Sequence, residues 1–194
     1  AHFTSFWQAG FEGADHVNGS GLALCMNEAT GHLTHIDADY ERLAAFGIRT
    51  VRESAGWRSC EAGGQFNFDA VGKRMQAAQR HGIQIAWTFW HYGIPEDVHL
   101  FADDLPERFA RFCDALGRYL QRFDTPSELI CTPVNEISFL AWAVCETGLI
   151  HPHRGERKQD GYALKKHLVR AAIAGCRALR SKAGGNLGKW LLAK

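Results

Sequence analysis

Four times along this chain a short apolar run gives way to a longer segment with helical spacing, and that alternation limits what it can fold into. The apolar runs are residues 5–10, 48–54, 83–90 and 129–134. Helical segments follow from Asp37 or Asp39 to Phe46, from Asp69 to His81-Gly82, over residues 107–123 and over residues 162–179. No hairpin signal separates the runs, so the expected architecture is α/β, a parallel sheet covered by helices. No G-x-G-x-x-G turn leads from a run into a helix, which argues against a dinucleotide-binding sheet. Polar residues gather instead where each run stops, as in a (β/α) barrel of the TIM type, whose sites lie at the carboxyl ends of its strands. A closed barrel of that type takes about eight βα units, and this chain has material for four. The expectation is a half barrel over residues 1–180, followed by an atypical glycine- and lysine-containing tail at 181–194.

The helices are legible from their apolar faces. Tyr40, Leu43, Ala44 and Phe46 line the first, and Val71, Met75 and Ala78 the second. The third opens at Pro106 and presents Phe109, Phe112, Leu116, Leu120 and Phe123. Leu164, Leu168, Ala171, Ile173 and Cys176 form the fourth face. The glycine-rich stretch 18–32 reads as a long loop, and Gly63-Gly64 as a turn.

The fourth run, Leu129-Ile130-Cys131-Thr132-Pro133-Val134, ends abruptly on Asn135-Glu136. A carboxylate at the mouth of an apolar sheet is expected to be partly desolvated, which pushes a carboxyl group towards a general acid working near neutrality. The plainer alternative is that Asn135 and Glu136 cap the helical segment that follows. The other run ends decide between them: Arg52-Glu53-Ser54 with Trp57 and Arg58, and Trp90-His91-Tyr92-Gly93.

Composition narrows the partners. Twenty-two basic and 21 acidic residues leave a formal charge of +1, which gives no charge-based argument for nucleic acid or an anionic membrane surface. No apolar run approaches the roughly 20 residues of a membrane span, and the first residues lack a signal-peptide plan. The six cysteines contain no C-x-x-C pair, so they read as reduced thiols in a cytoplasmic protein. Neither a cofactor nor a metal is expected.

At these run ends the chain resembles the retaining β-glycosidases of clan A, closest to the family 1 β-glucosidase and β-galactosidase type. Gly10-Phe11-Glu12-Gly13-Ala14 is similar to that family's Gln-x-Glu-Gly-Ala, with Gly10 in place of the glutamine. His91-Tyr92-Gly93-Ile94-Pro95 resembles His-Trp-Asp-Leu-Pro, departing at Tyr92 and Gly93. Arg52 falls where the clan keeps a second-strand arginine, and Asn135-Glu136 matches the fourth-strand Asn-Glu. The resemblance implies glycoside hydrolysis with Glu136 as acid/base. Asn135 and His91 would bind sugar hydroxyls, Arg52 would orient the nucleophile, and Trp90, Trp142 and Trp57 would offer flat faces to a sugar ring. The family's nucleophile is a seventh-strand glutamate, for which this chain has no counterpart. Glu12, Glu53 and Glu146 are the other carboxylates near the site, and none has the nucleophile's context.

Two rival readings stand beside it. A half barrel without the nucleophile is a non-catalytic carbohydrate binder. A metal-dependent amidohydrolase would use His151-x-His153 or His32-x-x-His35, but no carboxylate follows at a suitable spacing. Four strands also leave open edges, so two copies are expected to pair edge to edge as a homodimer, or the chain to aggregate.

Overall fold

The computed structural model describes residues 2–124, 129–152, 158–181 and 191–192. The first third contains β1 (Gln8–Gly10), β2 (Asp15–Val17), β3 (Ala23–Cys25), α1 (Met26–Ala29), α2 (His32–Ala45) and β4 (Thr50–Ser54). Next come α3 (Trp57–Cys60), β5 (Glu61–Ala62), β6 (Gln65–Phe66), α4 (Asp69–His81) and β7 (Gln84–Trp90). The last part holds α5 (Leu105–Leu120), β8 (Ile130–Val134), α6 (Ile137–Trp142), a π-helical turn over Ala143–Thr147, α7 (Lys158–Ser181) and β9 (Leu191–Leu192).

One parallel sheet runs β1-β4-β7-β8-β9, so the four expected strands lie side by side in chain order. The register aligns Gly10, Arg52, Ala86 and Ile130 across it. Strand residues alternate between two faces. Val51, Trp87, Phe89 and Cys131 are buried in the core cluster together with Phe109, Phe112, Leu116, Leu164 and Leu168 from α5 and α7. The other face carries Gln8, Arg52, Ala86 and Thr132, which border an open cleft of about 1160 Å³. Among the described residues the sheet does not close into a barrel. At the amino ends of the strands the first residues fold over this face: Thr4 N–H meets Thr50 Oγ1 at 3.2 Å and Gln84 Oε1 at 3.1 Å.

α5 buries the expected stripe, and Pro106 stands in its first turn. α7 crosses it so closely that a Cβ on Gly175 would lie 2.8 Å from Cys113 Sγ and 3.0 Å from Phe109 Cε1. Of the expected α7 face, Leu164, Leu168 and Ala171 are buried, whereas Ile173 is 45% exposed and lines the cleft instead.

Other expectations are corrected. Two antiparallel hairpins interrupt the alternation, β2–β3 and β5–β6. Asn18 Oδ1 accepts hydrogen bonds from the Ser20 and Leu22 amides in the first turn, and Gly63 and Gly64 take left-handed φ in the second. Their strands have two or three residues each, too few to show an alternating pattern. Within the tail, Leu191 and Leu192 pair in parallel with Ile130 and Cys131, whereas the sequence placed the whole tail outside the sheet. The six cysteines are free thiols, as expected. No helix among the described residues is long and apolar enough to cross a membrane.

Candidate functional site

Because β4, β7 and β8 are parallel, their carboxyl ends deliver Arg52, His91, Asn135 and Glu136 to one rim of the sheet. The ladder continues past the strands: Ala55 N–H donates to Thr88 O at 2.8 Å, and Asn135 N–H to Trp90 O at 2.9 Å. Arg52 is exposed, with Nε donating to Thr88 Oγ1 at 3.0 Å and a guanidinium N–H donating to Asn135 Oδ1. Asn135 is buried, and its Nδ2 donates to the Tyr92 hydroxyl at 3.1 Å. That hydroxyl donates in turn to Glu136 Oε2. A cation, an amide, a phenol and a carboxylate thus form one directed hydrogen-bond chain, each donor polarising the next.

His91 closes the rim on the other side. Its Nδ1 pairs with Ser54 Oγ at 2.8 Å, and its Nε2 lies 4.0 Å from Glu12 Oε1. Burial pulls its pKa down to about 4, against the opposing influence of Glu12 and Glu136. It therefore stays neutral near pH 7, one ring nitrogen donating and the other accepting, as suits binding a hydroxyl group.

Glu136 departs from expectation in one respect. It is exposed, at the amino end of α6 with φ 44° and on the edge of the cleft, where partial desolvation was expected. No side-chain cap hydrogen bond joins it to α6, so the capping alternative is not what holds it.

The tryptophans divide. Trp57 and Trp90 have no exposed surface and pack edge to face at 5.0 Å, with Phe109 against both. Neither offers a face to a ligand, since α5 has filled the space on that side. Trp142 is 42% exposed and stands beside Phe139, which contacts Tyr92 at 5.3 Å between ring centroids. Tyr92 and Phe139 join the candidate site beside the residues that the resemblance marks for it. Tyr92 was marked by its departure from His-Trp-Asp-Leu-Pro, while Phe139 carried no signal.

Glu53 is excluded from the rim. It is fully buried on the helix side, where its carboxylate meets His32 Nε2 at 2.7 Å, the Tyr40 hydroxyl at 2.7 Å and Arg74 at 3.0 Å. Burial favours the neutral acid, yet the His32 and Arg74 contacts hold Glu53 below the usual carboxylate range. Glu146 stands in the π-helical turn facing Gly161 of α7. The proposed metal pair His32 and His35 does not converge, for His32 belongs to Glu53 and Asp39, and His35 pairs with Gly31 O. Among the described residues no cluster of three metal-ligating side chains occurs, and His153 lies outside those residues.

Comparison with known proteins places this geometry. No protein-family model matches the chain, and no curated protein matches it by sequence. Solved structures do match in shape. A Thermotoga maritima β-glucosidase in complex with cyclophellitol superposes with a TM-score of 0.68 at 19% identity, over 82% of this chain and 37% of its own. An enzyme from Alicyclobacillus herbarius gives 0.68 at 18% identity, over 77% and 35% respectively. The virulence factor SghA, bound to its substrate analogue salicin, gives 0.66 at 20%, over 79% and 35%. The fold is part of a (β/α) barrel like that of those structures. The chain spans little more than a third of the β-glucosidase it matches, and within that span the β-glucosidase-like sheet sets Arg52, His91, Asn135 and Glu136 side by side.

Proposed function

We propose that this chain carries the acid/base side of a retaining β-glycosidase site and binds β-glycosides at the rim formed by Arg52, His91, Tyr92, Asn135 and Glu136. The observation that carries the reading is the directed chain from Arg52 through Asn135 and Tyr92 to Glu136. It leaves one exposed carboxylate held at the edge of a cleft, next to a buried amide and a neutral histidine. Asn135 and His91 meet sugar hydroxyls, the exposed faces of Trp142 and Phe139 receive the apolar side of a ring, and Glu136 transfers the proton to the glycosidic oxygen.

Retention needs a second carboxyl about 5 Å from the first, to attack the anomeric carbon. Glu53 is committed to its own buried network, and Glu12 Oε1 accepts from the Ala14 amide at 2.9 Å, 4.0 Å from His91 Nε2. The nucleophile is therefore proposed to come from outside this chain, and the 194-residue protein is expected to bind β-glycosides with little turnover. Calorimetric titration with an aryl β-glucoside, alongside release of the aryl group, tests both halves. Binding without hydrolysis is the expected result; robust hydrolysis by the pure chain shows that a nucleophile is already present. In a protein that includes the missing carboxylate, Glu136→Gln should cost about 10²–10⁴-fold on poor leaving groups, the usual range for general acid catalysis. Undiminished activity there removes Glu136 from the role.

A further inference from the structure

Tyr92 and Glu136 share an uncommon backbone. Both are non-glycine residues in the left-handed region, at φ 78° and φ 44°, a costly conformation that persists where the surroundings over-determine it. The surroundings of Tyr92 are visible. Asp15 N–H donates to His91 O at 3.1 Å, and the Asp15 backbone bridges to Tyr92. Gly93 lies so close to that strand that a Cβ on it would sit 2.0 Å from Asp15 O. The β2 segment thus presses residues 91–93 into place, and this accounts for glycine where the β-glycosidase pattern has aspartate. The result is a phenol aimed at a carboxylate just past the end of the neighbouring strand, with Asn135 supplying the hydrogen bond that turns its proton towards Glu136.

We propose that Tyr92 is the positioning residue of Glu136: its hydroxyl, set by Asn135 and Arg52, holds Oε2 and leaves Oε1 as the oxygen that a ligand hydroxyl meets. Among the described residues Oε1 has no hydrogen-bond partner, so the carboxylate has one anchored and one open oxygen. Burial, followed by the hydrogen bond to Glu136, raises the Tyr92 phenol above its ordinary ionisation range, consistent with a proton held between the two. That the ligand is a sugar rests on the function proposed above; the hold itself does not.

The full chain, labelled with ¹³Cζ-tyrosine, reads this directly. Tyr92 is assigned by its loss in Tyr92→Phe, and its resonance is followed through the acid range. His16, His91 and Glu12 also face the ring or its hydroxyl, so the comparison is between wild type and Glu136→Gln. The expected result is a step in the Tyr92 signal within the acid range, lost in Glu136→Gln. A step that persists in that variant, or no step in wild type, overturns the proposal. Should Tyr92→Phe not fold, assignment through the neighbouring backbone amides keeps the pair of titrations decisive. Binding of methyl β-D-glucoside forms a separate arm. Tyr92→Phe should weaken it about tenfold, the scale of one hydrogen bond to a charged group. An unchanged affinity overturns the positioning role, whereas a wild type that binds no glycoside removes the proposed function and leaves the phenol titration to judge Tyr92.

Discussion

A carboxylate with no exposed surface needs an answer for each of its oxygens, and Glu53 has one. His32 and Tyr40 meet Oε1, and Arg74 meets Oε2. Removing one partner leaves a buried charge uncompensated, so Arg74→Met should cost about 3–5 kcal/mol in urea unfolding. The same network bends stability with pH. Glu53 is held below its unfolded value, so its contribution is present above the ordinary carboxylate range and is lost as pH falls through the lowered one. Burial opposes protonation of His32, but its bonds to Glu53 and Asp39 raise it overall above 6.5. Its contribution is therefore complete below 6.5 and is lost as pH rises through the raised value. His91 behaves oppositely to His32: folded at about 4 against 6.5 unfolded, it adds stability above 6.5 that is lost as pH falls towards 4. The urea midpoint should accordingly decline between pH 6.5 and 4, and His91→Gln should flatten that limb. An unchanged limb in the variant shows that His91 is not its source.

Among the described elements, α5 and α7 make the most extensive contact, and Gly175 leaves the room for it. Gly175→Ala places a methyl within 3.0 Å of Cys113 Sγ and Phe109 Cε1, so these side chains or one helix must shift. A loss of about 1–3 kcal/mol by thermal unfolding is expected, the range for an overpacked core. The hydrophobic stripe of α5 was legible because its period of 3.6 is a property of the chain itself. That α7 carries a second apolar strip, Val169, Ala172 and Ile173, facing the cleft was not, because helical spacing marks a helix and not which neighbour each side will meet.

At the scale of the whole molecule the half barrel is less exposed than its strand count suggests. The outer strand β1 has three residues, a short edge that offers little template for pairing. The β8 edge is met by Leu191 and Leu192 at Ile130 and Cys131. On the open face the strands present Gln8, Arg52 and Thr132, while Trp87 and Phe89 turn inward. The cost of wet apolar surface, roughly 25 cal/mol per Å², therefore falls on the α7 wall, where Val169 is 40% and Ile173 45% exposed. If two copies associate, this wall is their proposed contact. Sedimentation equilibrium should then show Ile173→Lys shifting the population towards the 21.6 kDa monomer. A wild type that is monomeric at every concentration removes the wall as an association surface.

What the sequence determined by itself was local and periodic. Apolar runs and helical stripes identified four strands and their helices, and polar residues at the run ends marked Arg52, His91, Asn135 and Glu136. Those signals survive in one dimension because strand ends and helix faces are set by neighbours a few residues away. Tertiary structure decided everything that depends on what arrives from a distance. Trp57 and Trp90 became core because Phe109 of α5 packs on them, and Glu53 became structural because His32, 21 residues earlier, turns towards it. Tyr92 reached Glu136, 44 residues later, because β2 packs against residues 91–93 with Tyr92 at φ 78°. Burial and hydrogen-bond partnership are properties of a place in space, and only the fold assigns the place.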